Sequence, residues 1–213
     1  MSFINPKHMV VEARDDQGAV IGLMKHHVEK WGDKKHEWPV EISFAGSGDE
    51  IFELLPTRMK TAGLQILGII LDADDRLEGR WGQIRSFCDD HFPAAPKKLP
   101  EAGLIVDGGG LRFGAWVMPD NKSDGMLENF CKSMVPPASQ ALWDLGEESF
   151  AQAKTIGAPC IDAHTIRAHI HTWLAWQAPP GDRIGIAITR KVLDPAAPSA
   201  TAFVNWFKSL YKL

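Results

Sequence analysis

Apolar residues in this chain come in short bursts that end abruptly on charge. Met9 to Ala13 (MVVEA) is apolar and β-branched until it meets Arg14, Asp15 and Asp16, which predicts a short buried strand with Glu12 at its C-terminal end. From Gln17 to Trp31 the positions Val20, Leu23, Met24, His27, Val28 and Trp31 recur at three and four spacing, so a helix follows, stopped by Gly32. The pair repeats. Pro39 to Ala45 alternates as a strand, GSGDE breaks it, and Ile51 to Thr61 carries a helical stripe of Ile51, Leu54, Leu55 and Met59. Gln65 to Leu71 (QILGIIL) is the most apolar run of the chain, the pattern of a strand buried on both faces, and it stops at Asp72, Ala73, Asp74 and Asp75.

Arg76 to Phe92 resumes the helical period around Trp81, Ile84, Phe87 and Cys88, and a proline-rich loop, PAAPKKLPEAG, follows. Leu104 to Met118 holds two strand-like runs flanking DGGG, which predicts a hairpin. Asp124 is a candidate N-cap for a helix from Gly125 to Met134, and segments 137–155 and 162–177 are further helices. Gly185 to Thr189 (GIAIT) has the look of a last strand, and Phe203, Trp206, Phe207, Leu210 and Tyr211 predict a closing helix. Alternating strand and helix in the first half implies right-handed crossovers and a parallel sheet, with a site at its carboxyl edge. The expected architecture is one α/β unit: a core sheet over residues 1–120 and a mainly helical extension over 121–213 packed on it.

Composition narrows the function classes. The 213 residues are 45% hydrophobic, enough for a core without staples, and 23 basic against 27 acidic residues leave a formal charge of -4. Nucleic acid would therefore have to be held by a local patch rather than by overall basicity. Cys88, Cys131 and Cys160 are odd in number and far apart, which argues against a disulfide framework or structural zinc and favours a reducing cytoplasm. The N-terminal stretch meets charge too soon for a signal peptide, and no apolar run has the roughly 18 residues of a membrane span, so no membrane partner is expected.

The chemistry concentrates at the strand ends. If the strands carrying Glu12 and Asp72 are neighbours, their ends lie about 5 Å apart and bring three carboxylates from two loops together. Mutual repulsion then calls for a cation, and hard oxygen donors suit Mg²⁺ or Mn²⁺. Asp72 and Asp74 point the same way if the stretch is extended. The competing reading makes these acids solvated loop charges or helix caps. Asp120 and Asn121 follow a strand directly, with turn formation as the alternative, and Glu128 lies on the first turns of a helix, facing cleft or solvent. His164, Arg167 and His171 share a helical face near Trp173 and Trp176; the simpler reading is a partly buried polar set beside a tryptophan core, although Arg167 offers a planar fork to a phosphate. GSGDE and DGGG lack the GK[ST] of a phosphate loop and are better read as tight turns, and the eight tryptophans as core rather than base-stacking platforms.

Glu12 in VVEARDD, followed some sixty residues later by ILDADD, resembles the Toprim domain of topoisomerases, primases and overcoming-lysogenization-defect nucleases. The segments WVMPDNKSDGMLENF and HTWLAWQAPPGDRIGIAI look like those of a small bacterial group of stand-alone Toprim-like proteins, which extends the likeness over most of the chain. Ala13 stands where the usual motif has glycine. The resemblance implies a three-layer Toprim/Rossmann-like sheet flanked by helices, Mg²⁺ or Mn²⁺ held by Glu12, Asp72 and Asp74, and phosphoryl transfer on DNA or RNA. In the nuclease branch a further acid and a basic residue complete the site, and Asp120, Glu128 and Arg167 match those places, Arg167 standing where lysine is commoner. The only tyrosine, Tyr211, lies in the tail, which disfavours covalent topoisomerase-like cleavage. A non-catalytic module serving a partner protein and a receiver-like domain with Asp72 as phosphoacceptor are the other readings; homo-oligomer or partner assembly is left open.

Overall fold

The computed structural model describes residues 5–213. Its elements run β1 (Lys7–Val11), α1 (Arg14–His27), β2 (Glu41–Phe44), α2 (Gly48–Met59), β3 (Ile66–Asp72), α3 (Leu77–His91), β4 (Leu104–Gly108), β5 (Leu111–Met118), α4 (Leu127–Lys132), α5 (Gln140–Thr155), α6 (Thr165–Ala175), α7 (Ile184–Thr189) and α8 (Pro198–Tyr211). The five strands make one sheet in the order β2-β1-β3-β5-β4, parallel throughout except where β4 pairs antiparallel with β5. The α/β expectation holds, and the DGGG segment forms the turn of the β4–β5 hairpin.

The apolar run of β3 follows from its central place. Leu67, Ile69 and Leu71 pack with Ile51 and Leu55 of α2 and Ile84 and Cys88 of α3, while Ile66 and Ile70 pack on the opposite face with α1 and α8. Each such fully buried Leu or Ile contributes about 1.5–3 kcal/mol, so both sheet faces must be covered by helices. The C-terminal helices cover the α1 face. Trp206 donates its indole N–H to the carbonyl of Leu104 at 3.0 Å, and Tyr211 donates its hydroxyl to the carbonyl of His8 at 2.8 Å. Trp31, Trp116, Trp143, Trp173 and Trp206 are all buried, so these tryptophans belong to the core. Cys88, Cys131 and Cys160 are free thiols. Among the described residues no helix is long and apolar enough to cross a membrane.

Three local expectations are corrected. GIAIT is not a strand but most of the helix α7: Ile184, Ala187 and Ile188 are buried at three and four spacing, while Ile186 is exposed. What selects the helix is its seat on α1, where a Cβ on Gly185 would run into the carbonyl of Gly18 and one on Gly22 would stand 2.6 Å from the carbonyl oxygen of Gly185. Asp124 does not cap the helix after it. Met126 holds that place, and the Asp124 carboxylate accepts instead from the backbone N–H of Leu77 at 2.8 Å, at the start of α3. His164 and His171 are exposed rather than partly buried, and the histidine that packs on the tryptophan core is His169, edge-on to Trp143.

Candidate active site at the carboxyl edge of the sheet

β1 and β3 are parallel neighbours, so the chain leaves both at the same edge, and the residues that follow stand side by side. Glu12, one residue beyond β1, accepts from the backbone N–H of Asp72 through Oε1 at 2.9 Å. Asp72, the last residue of β3, accepts from the N–H of Leu127 through Oδ1 at 3.0 Å, which ties it to the start of α4. Asp74 does not continue the strand. Its φ of 55° breaks the alternation, so its carboxylate is half exposed while Asp72 is partly buried, and its backbone pairs with Gly125 in an isolated bridge. The two aspartates remain linked through Arg80, as described below.

Two further carboxylates face the same edge from helix first turns, where the partial positive charge of exposed N–H groups favours them. Glu128, the second residue of α4, is 5% exposed; Oε1 accepts from Arg167 Nε at 2.7 Å, while Oε2 is buried and has no hydrogen-bond partner. Asp16, in the first turn of α1, is 4% exposed and its Oδ2 accepts from the backbone N–H of Ala13 at 2.9 Å. Burial pushes the Asp16 carboxyl from its ordinary 3.8 up to about 7, assisted by the charges of Glu12 and Glu128 and opposed by the Ala13 N–H. Burial likewise pushes Asp72 well above the usual carboxylate range, with the charges of Asp16, Glu12, Glu128 and Asp74 adding to it. Glu12 is raised by burial in spite of the Asp72 N–H and the nearby Arg80 guanidinium.

Two arginines answer this negative charge. Arg167 on α6 pairs with Glu128 while half of its side chain faces solvent, and its guanidinium is held above its ordinary range by that hydrogen bond and charge. Arg80 on α3 donates from Nε to the carbonyl of Asp72 at 2.9 Å and from Nη2 to Asp74 Oδ2 at 3.1 Å, and stands 4.0 Å from Glu12 Oε1. Five acids thus share the edge with two guanidinium groups.

Of the residues singled out in the sequence, Glu12, Asp72, Asp74, Glu128 and Arg167 are gathered here. Asp120 is used differently: its carboxylate accepts from the N–H groups of Lys122 and Ser123 at 3.0 and 2.8 Å and from the Ser123 hydroxyl, the turn-forming alternative. Its neighbour Asn121 is buried and bonds the Val117 N–H and the Glu101 carbonyl. Ser47 in GSGDE caps α2 through its hydroxyl, also a turn role. Asp16 and Arg80 were missed. The available signal for Arg80 was a basic residue in the first helical turn after an acidic strand end, where the helix dipole disfavours it.

The donor set fits a hard divalent cation: it is all oxygen, it converges from three chain segments, and one buried carboxylate oxygen, Oε2 of Glu128, lacks any partner. Among the described residues no three histidine, cysteine or acidic side chains are already drawn into a ligand set. Glu12, Asp72, Asp74 and Glu128 are the side chains that would hold such an ion. No curated protein and no solved structure matches the chain. Residues 6–212 match the model of the family described as Protein of unknown function (DUF3226), and the chain belongs to that family.

Proposed function

We propose that this protein is a Mg²⁺- or Mn²⁺-dependent phosphoryl-transfer enzyme of Toprim-like type, a nuclease acting on DNA or RNA in a reducing cytoplasm. The observation that carries the reading is the meeting of Glu12, Asp72 and Glu128 at one sheet edge, with a buried carboxylate oxygen left unsatisfied. A buried charge with no partner is costly, and evolution tolerates such groups chiefly where a ligand completes them.

A bound divalent ion would supply the Lewis acidity and charge neutralisation that phosphodiester transfer requires. The protein's own groups provide the rest. Glu12 and Asp72 are fixed by backbone N–H bonds, so their free oxygens are presented with little remaining freedom. Arg167 binds Glu128 through Nε only, which leaves the outer edge of its planar fork to receive a phosphate. Asp16, with its carboxyl near neutrality, can hold a proton on Oδ1 while Oδ2 stays engaged by Ala13.

Calorimetric titration of Mn²⁺ into wild type and Asp72→Ala tests the metal, and labelled single- and double-stranded DNA and RNA incubated with Mn²⁺ test the reaction. Expected are metal binding abolished in Asp72→Ala and strand cleavage abolished in Glu12→Ala. Cleavage that survives Glu12→Ala refutes the assignment; metal binding without any turnover favours a non-catalytic module.

A further inference from the structure

Arg80 stands where the acidic edge needs a counter-ion. It enters from the first turn of α3, against the helix dipole, yet its side chain is only 13% exposed. All three guanidinium nitrogens are engaged: Nε by the Asp72 carbonyl, Nη2 by Asp74, and Nη1 by the Gln83 side chain at 2.9 Å. The space is made by Gly48, where a Cβ would stand 2.6 Å from Arg80 Nη1 and 2.9 Å from Glu12 Oε1. Across the cluster, Arg167 holds Glu128 through Oε1 while Oε2 keeps its buried lone pairs unpartnered, so only the Arg80 side has its guanidinium fully engaged among the acids.

A guanidinium group held by Asp74 and lying beside Glu12 competes with any ion that uses those same oxygens, because two cations a few ångströms apart in a partly dry site repel strongly. Resting on the metal-dependent reading above, we propose that Arg80 is a displaceable resident counter-ion: it holds Glu12 and Asp74 while the metal is absent and must release them when the metal enters. Metal affinity is thereby set below what the carboxylates alone would give. The site then fills only when the ion is abundant or when an anionic substrate draws the guanidinium away. Arg80 acts through the carboxylates, as a positioning residue.

The test is calorimetric titration of Mn²⁺ into the full chain as wild type, Arg80→Gln, Arg80→Lys and Gln83→Ala, with thermal unfolding by circular dichroism as a check on folding. Arg80→Gln should bind Mn²⁺ about tenfold tighter than wild type or better, which corresponds to about 1.4 kcal/mol. Arg80→Lys keeps the charge and should stay within about threefold of wild type, while Gln83→Ala, at an exposed position, frees the guanidinium and should tighten binding about two- to threefold. A merely structural arginine would give the opposite sign, since its loss would disorder the ligands. Wild-type binding with Arg80→Gln and Gln83→Ala unchanged or weaker overturns the counter-ion role alone; no Mn²⁺ binding by any variant overturns it together with the metal reading.

Discussion

Replacing Asp16 by asparagine should stabilise the metal-free protein strongly near pH 8 and much less, by about 1 kcal/mol, near pH 5. The side chain is 4% exposed, and its carboxyl is pushed from 3.8 to about 7 by burial and by the charges of Glu12 and Glu128. The native state therefore keeps a proton that the unfolded chain gives up at much lower pH, so this group's contribution to stability falls as pH rises from about 4 to about 7. At 1.36 kcal/mol per pKa unit the whole window amounts to about 4 kcal/mol, of which about 3 kcal/mol falls between pH 5 and pH 8. Asparagine carries no charge to bury, and its carbonyl oxygen still accepts from the Ala13 N–H, so the cap survives. The assay is urea unfolding of both proteins at the two pH values with a chelator present, comparing midpoints at constant slope. Titrations that do not feel Asp16 cancel in the difference; Asp72, raised in part by the Asp16 charge, is relieved in the variant and adds to its advantage at pH 8. An advantage of the variant that is equal at pH 5 and pH 8, or a variant weaker than wild type at pH 8, would refute the account of a carboxyl held protonated by burial and by its acidic neighbours.

Two further outcomes test the scaffold. Burial lowers the His8 imidazole to about 4, and its Nε2 lies 2.9 Å from the Ser43 hydroxyl. A base whose folded value is depressed stabilises the fold above its unfolded value and loses that contribution as pH falls from about 6.5 to about 4, here about 3 kcal/mol; His8→Gln should flatten that acid limb in urea unfolding, and an unchanged limb would sink the argument. Gly185→Ala forces a Cβ onto the Gly18 carbonyl at the α1–α7 contact and should cost about 1–3 kcal/mol, read as a lower thermal midpoint, with no effect expected from the same change at the open Gly181 beyond its own backbone strain.

Much of the sheet was legible because its strands carry their own boundaries. QILGIIL followed by DADD marks a strand buried on both faces and then a charged exit, and the parallel pairing of β3 with β1 puts that exit beside Glu12. The order of strands was an assumption at that point, since nothing local in MVVEA states that β1 pairs with β3 as well as β2. The short C-terminal apolar run was misread for a physical reason. Over five residues, GIAIT satisfies alternation and the helical period about equally, and the deciding term is the close backbone approach of Gly185 to Gly18, a contact between residues far apart in sequence.

The same distance effect explains which site residues were found. Glu12, Asp72 and Asp74 sit at strand exits, where topology alone assigns them to the carboxyl edge. The Glu128–Arg167 pair joins two helices across 39 residues of sequence, and only packing brings it to the edge. Asp16 looked like one of three charges ending a strand, and its capping bond to Ala13 is hidden because Ala13 offers no capping side chain to announce the helix start. Asp120 failed in the opposite direction: a strand exit supplied the location, but its carboxylate was already committed to the N–H groups of Lys122 and Ser123. Each helix that follows a strand starts at the edge which that strand has just left, so a charged residue in its first turn is a site candidate on topology alone. Residue type alone does not decide: Arg14, first in α1 after Glu12, is exposed over the Phe44 ring, whereas Arg80, a turn into α3, is drawn inward by the Asp72 carbonyl and the Asp74 carboxylate.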